Sequence, residues 1–123
     1  MPTDEYELLV YRESPLHLQA KRILAEHLKS EYPEATVATE YVICSRIERK
    51  FQLTDGRPMT WQECCLAGEK PLAIADIVLA RNGMIDDVFE VVVTNRPSQR
   101  KVNLYKAHGM RLWVIDAFEL FSS

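Results

Sequence analysis

Two neighbouring stretches, residues 72–80 and 88–94, are apolar and rich in β-branched side chains, and each carries one central acid, Asp76 or Glu90. Arg81-Asn82-Gly83-Met84 lies just after the first stretch, and Asn-Gly between such runs signals a β-hairpin. A two-residue loop at Asn82-Gly83 would pair Asp76 with Phe89 and send the two acids to opposite faces. A three-residue loop, Asn82-Gly83-Met84, pairs Arg81 with Ile85 and sets Asp76 opposite Glu90 on one face. Carboxylates facing each other with Cβ atoms ~4.5–5.5 Å apart repel. The second register is therefore expected together with a divalent cation shared between them.

The remaining pattern places the other elements. Ser14-Pro15 opens a helix, Ser as N-cap and Pro at the first helical position. Leu16, Ala20, Ile23, Leu24, His27 and Leu28 form its apolar stripe, and Pro33 ends it by Ser30 or Tyr32. His17 and Lys21, four residues apart, stack at the edge of that stripe. Residues 36–44 alternate as a strand, Val37, Thr39, Tyr41 and Ile43 on one side, Ala38, Glu40, Val42 and Cys44 on the other. Residues 46–51 either prolong this strand or turn away, residues 54–58 form a turn, and residues 7–12 are a lead-in strand or coil.

Thr60-Trp61-Gln62-Glu63 fits a capping box and Gly68 a stop, so residues 60–68 read as a small helical insertion between strands. Asn95-Arg96-Pro97-Ser98 starts a second long helix, Pro at an early position, that Gly109 closes, and residues 110–116 form a last apolar strand. Strand, helix and strand imply a right-handed crossover and a parallel pair. The order is αβββαβ.

Length bounds this picture to one domain over residues 1–123. No apolar run approaches the ~20 residues that span a bilayer, and the acidic N-terminus has no secretion signal, so a cytoplasmic protein without membrane contact is expected. Cys44, Cys64 and Cys65 suggest neither a disulfide framework nor a zinc site, and read as small buried thiols. A Cys/His metal or redox function would rest on Cys64-Cys65 alone. The net charge of −3 hides an uneven distribution, because residues 96–111 hold Arg96, Arg100, Lys101, Lys106 and Arg111 without one acid. Solvated cations are the default for Arg96, Arg100, Lys101 and Lys106, which would also suit phosphate contacts. Asp86 and Asp87 read as solvent-facing turn neighbours, and Tyr105 and Trp113 as core.

Acids on successive strands with a Lys nearby match what Mg²⁺-dependent phosphodiester hydrolysis needs. Hard cations take carboxylate oxygens, and the bound cation acidifies an attacking water. A Lys neutralises charge developing on the phosphate or holds the water.

Several segments together resemble a known family. They are Glu13-Ser14-Pro15-Leu16-His17-Leu18-Gln19-Ala20-Lys21, Val37-Ala38-Thr39-Glu40, Ala75-Asp76-Ile77-Val78 and Phe89-Glu90-Val91-Val92-Val93-Thr94. Lys101-Val102-Asn103-Leu104-Tyr105 before Gly109-Met110-Arg111-Leu112-Trp113-Val114 completes the set. In this order they resemble the PD-(D/E)xK nuclease superfamily, nearest to the competence protein CoiA-like nucleases, over most of the chain and through dispersed motifs. The resemblance implies an α/β restriction-endonuclease-like fold, a mixed sheet flanked by helices. It implies Mg²⁺ or Mn²⁺ bound by Asp76, Glu90 and Glu40, a first-helix pair His17 and Lys21, and DNA as substrate.

Two positions depart from the family pattern. Ala75 replaces a Pro that only shapes the turn, and Val92 replaces the usual catalytic Lys. Lys21 would supply that charge, with Lys101 second in line. A relative that has lost catalysis and binds DNA or a protein partner is the alternative. So small a nuclease has little room for a recognition element, so a homodimer or larger partner is expected.

Overall fold

The Ser14 hydroxyl accepts from the His17 N–H at 3.1 Å, and Pro15 occupies the first turn, so α1 forms over Pro15–Glu31 as the local signals require. This computed structural model describes residues 14–45 and 49–122, and the expected lead-in over 7–12 lies outside them. The helix buries Ala20, Lys21, Leu24, Ala25 and Leu28, while Ile23 and His27 of the expected stripe are exposed. The buried stripe is therefore rotated slightly about the axis, toward Lys21 and Ala25.

Four strands follow in the sheet order β1 (Thr36–Cys44), β2 (Pro71–Arg81), β3 (Met84–Val92) and β4 (Arg111–Asp116). The first three run antiparallel in turn, and β4 lies parallel to β3, so the sheet is mixed. The small helix α2 (Trp61–Leu66) sits between β1 and β2 with a complete Thr60–Glu63 capping box. Helix α3 (Gln99–Ala107) makes the crossover to β4, capped by Ser98, so Pro97 stands outside the helix rather than in its first turn. A further helix, α4 (Ala117–Ser122), continues directly from β4. Its first residue, Ala117, joins the core beneath α1. The fold is thus mixed α/β with helices flanking the sheet.

Three apolar clusters hold these layers. Ile77, Leu79, Phe89 and Val91 pack against α1, and Val78, Val88 and Ile85 pack on the other face with Tyr105 of α3. Each such fully buried aliphatic side chain contributes roughly 1.5–3 kcal/mol. Val42, Cys44 and Cys64 form the third cluster beneath α2. Cys44 and Cys64, expected to be separate thiols, are joined as a disulfide between β1 and α2 with Cα atoms 6.4 Å apart, and Cys65 is free and exposed. The capping box aims Cys64 inward onto β1, which brings the two sulfurs together. Among the described residues, no helix is long and apolar enough to cross a membrane.

The hairpin turn differs from the three-residue loop. Arg81 pairs with Met84 across Asn82-Gly83, which have φ of 54° and 74° and form a two-residue turn. The extra residue enters farther on, at Asp86, where the register shifts between Ala80↔Ile85 and Leu79↔Asp87. Beyond this bulge the pairing reaches Ile77↔Phe89, so continuing by one residue sets Asp76 level with Glu90. The expected level is reached by a different route.

Strand β1 also departs from simple alternation. Val37 packs under α1, yet Tyr41 and Ile43 pack on the opposite face, with Ala38. The exchange falls at Glu40, which has φ 53°, and β2 changes face at the same level, between Ala75 and Ile77. Gly83 offers a direct test of the turn. A Cβ there meets no atom within 4 Å, so Gly83→Ala should lower stability by about 1 kcal/mol through backbone strain alone, read from urea unfolding.

Candidate active site

Thr39 pairs with Ile77 and Tyr41 with Ala75, which places Glu40 level with Asp76, and Asp76 in turn is level with Glu90. Three acids thus occupy one row across three adjacent strands. Ordinary ladder bonding fails at this row, and the acids repair it. The Asp76 N–H donates to Glu90 Oε2 at 2.8 Å, and the Val91 N–H donates to Asp76 Oδ2 at 2.8 Å. Each buried amide gains a carboxylate acceptor, so none is left unpaired at a cost of about 1–3 kcal/mol.

The flanking helices supply the countercharges. From α1, His17 Nε2 lies 2.9 Å from the Val91 carbonyl and 3.3 Å from Asp76 Oδ2. A carbonyl only accepts, so Nε2 carries the proton and donates to both oxygens. One turn on, the Lys21 ammonium pairs with Glu40, although Lys21 is only 4 % exposed. From α3, the Lys101 ammonium pairs with Glu90 and donates to the Ile74 carbonyl at 2.8 Å. Asp76 is therefore engaged from the α1 side and Glu90 from the α3 side. The sheet does not present them as a pair on one face, which corrects the register-based expectation. The break in the ladder frees both side chains to enter the gap between β2 and β3.

Environment separates the two acids. Burial pushes Asp76 up, but the His17 and Val91 N–H groups and the charges of His17 and Lys21 outweigh it, so it titrates below the ordinary aspartate range. Burial and then the Asp76 charge raise Glu90 above the ordinary glutamate range, against the pull of Lys101 and the Asp76 N–H. Divergent carboxylates of this kind recur at reactive sites. Tyr105 lies close enough to feel both charges, and burial is the main cause of its raised pKa. Its hydroxyl is buried without a hydrogen-bond partner among the described residues.

All five expected residues, His17, Lys21, Glu40, Asp76 and Glu90, belong to this one neighbourhood. Lys101, expected both among the phosphate-contacting cations and as second in line for the missing lysine's charge, is turned inward onto Glu90, while Arg96, Arg100 and Lys106 are exposed. Asp87, read as a turn neighbour, is 5 % exposed and holds Arg111 at 2.7 and 3.0 Å and the Trp113 indole N–H at 2.9 Å. Trp113, expected in the core, is half exposed on the edge strand.

Among the described residues, no group of three His, Cys, Asp or Glu side chains is set out as a ready cation cage. Mg²⁺ demands less than that, since it usually takes one or two carboxylates and completes its shell with water and phosphate. The hard oxygen donors of Asp76 and Glu90 fit it in kind. No family model, curated protein or solved structure matches the chain.

Two measurements test this electrostatic arrangement. A lowered Asp76 stabilises the fold above the ordinary aspartate range and loses that contribution as pH falls through it. A raised Glu90 does the opposite, costing stability as pH rises from the ordinary glutamate range toward neutrality. Relative to the wild type, Glu90→Gln should therefore gain stability with rising pH and Asp76→Asn should lose it, read from urea midpoints across pH. Tyr105→Phe should raise stability by about 1 kcal/mol in the same assay, because it removes a buried hydroxyl that has no partner among the described residues.

Proposed function

We propose that this chain is a Mg²⁺- or Mn²⁺-dependent DNA nuclease of restriction-endonuclease-like fold. One observation carries the reading. Glu40, Asp76 and Glu90 share a row at a break in the ladder, with His17, Lys21 and Lys101 brought in by two helices. The chain order, αβββαβ once the small helix α2 and the final helix α4 are set aside, supports it, as does the strained backbone at Glu40, since left-handed non-glycine residues cluster at functional sites.

In this reading Asp76 and Glu90 would hold the cation, and Glu40 would contribute from the exposed rim. A bound cation polarises the scissile phosphate and lowers the pKa of the attacking water. His17 steadies Asp76 through its Nε2–H, which keeps the carboxylate ionised and oriented. Lys101 takes over the part of the lysine that Val92 replaces, offering its ammonium to charge that builds on the phosphate oxygens. Lys21 holds Glu40 in place and adds positive potential near Asp76. Arg96, Arg100 and Lys106 stand exposed for phosphates farther along the strand. A second copy or larger partner would add sequence recognition.

A second reading has its own observation. Every acid of the row is engaged by a cationic or imidazole group of the protein, and Val92 stands where the family has its lysine. A module that binds DNA or a protein without cutting would look the same.

Cleavage of supercoiled plasmid and single-stranded DNA in Mg²⁺ or Mn²⁺ separates the readings. Asp76→Asn, Glu90→Gln and Lys101→Ala should each slow cleavage by about 10²–10³-fold without loss of the unfolding transition. Cleavage indifferent to all three changes sinks the nuclease assignment. DNA binding with no cleavage by the wild type in either metal favours the second reading.

A further inference from the structure

The segment between β1 and β2 does more than link two strands. Residues 57–61 stand over the sheet and enclose a cleft of about 400 Å³, with Thr39, Glu40 and Ile74 on the sheet side and Arg57, Thr60 and Trp61 on the other. Glu40 belongs both to this cleft and to the carboxylate row, so the cleft borders the row at that residue. The wall is well anchored. Arg57 makes a two-pronged bond to Glu63 at 2.8 and 3.1 Å, the capping box closes Thr60 onto Glu63, and Cys64 ties α2 to β1. Trp61 nevertheless keeps 37 % of its surface exposed, a large aromatic side chain left open beside the row.

We propose that this cleft is a subsite for one unpaired nucleobase of the strand being cut, stacked on Trp61. The inference rests on the nuclease reading and narrows its substrate to single-stranded or unpaired DNA. Size supports it, because about 400 Å³ is in the range of small-ligand pockets and too small for a base pair with its duplex. Chemistry supports it as well. Stacking on an aromatic side chain is tolerant of sequence, and the threonine hydroxyls on either wall suit the polar edges of any base. The position supports it most, since a base seated beside Glu40 leaves its neighbouring phosphate at the row. Charge is arranged for this too, as the Arg57 guanidinium is fixed at the wall while its charge is balanced by Glu63.

The second exposed tryptophan serves as the control. Trp113 lines a separate cleft of about 410 Å³, where its indole N–H and both Arg81 and Arg111 are occupied by Asp87 and Asp86. That cleft shares no residue with the carboxylate row. Its polar groups are committed to holding β3 and β4 together.

The test is fluorescence anisotropy of a labelled oligothymidine, and of a blunt duplex of equal length, on the full chain with Ca²⁺ in place of Mg²⁺. The single strand should bind more tightly than the duplex. Trp61→Ala should weaken its binding about 5- to 150-fold, the range for loss of one stacked base. Trp61→Phe should restore most of the affinity, and Trp113→Ala should leave it unchanged. Thermal unfolding of each variant reports that the fold is kept. Equal binding by Trp61→Ala and wild type, a preference for duplex, or no binding at all overturns the subsite. The nuclease reading fails separately, through cleavage indifferent to Asp76→Asn, Glu90→Gln and Lys101→Ala.

Discussion

Backbone amides inside a sheet must be paired, and in this protein three neighbouring strands lose that pairing at one level. Glu40 leaves the extended conformation, and the β2–β3 ladder is last paired at Ile77↔Phe89 before the gap. Two carboxylates close it, each accepting from an amide of the strand opposite. An apolar side chain at either position would leave a buried donor unsatisfied. The same substitution of side chain for backbone draws Asp76 and Glu90 into the gap between β2 and β3. Structure and candidate chemistry therefore share one origin, the need to satisfy amides where the ladder parts.

Acids gathered in this way require countercharge, and the helices are placed to supply it. Helix α1 crosses one face and brings His17 and Lys21 to Asp76 and Glu40, one turn apart. Helix α3 crosses the other and brings Lys101 to Glu90. The outcome is asymmetric, with Asp76 held ionised and Glu90 pushed toward its neutral form. A buried charge is costly unless it is paired and hydrogen-bonded, so this asymmetry is the arrangement the low-dielectric gap tolerates best.

The insertion before β2 meets the row at Glu40, which lines the cleft beneath it. It is short, yet it has its own apolar anchor in Val42, Cys44 and Cys64 and its own salt link between Arg57 and Glu63. Local anchoring lets Trp61 remain exposed without loosening the wall behind it. The opposite end of the sheet shows the contrasting use of charge. There Asp87 gathers Arg111 and the Trp113 indole into a network that clamps β3 to the edge strand.

Local signals in the chain determined the elements. The Ser14-Pro15 start, the Thr60–Glu63 capping box, the Asn82-Gly83 turn and the β-branched runs each act over a few residues, so composition at those positions suffices. They also put His17 and Lys21 on one helix edge, whereas the two-residue turn alone would set Asp76 level with Phe89, and only the bulge at Asp86 brings it level with Glu90. Tertiary structure decided what depends on how those elements meet. The bulge at Asp86, the left-handed Glu40 and the exchange of faces in β1 arise where strands of unequal pattern are fitted together. The inward turn of Lys101 and the burial of Asp87 follow from packing against partners distant in sequence, such as Glu90 and Arg111. Periodicity reads one element at a time, whereas the direction of a charged side chain is set by the low-dielectric surroundings that the assembled layers create.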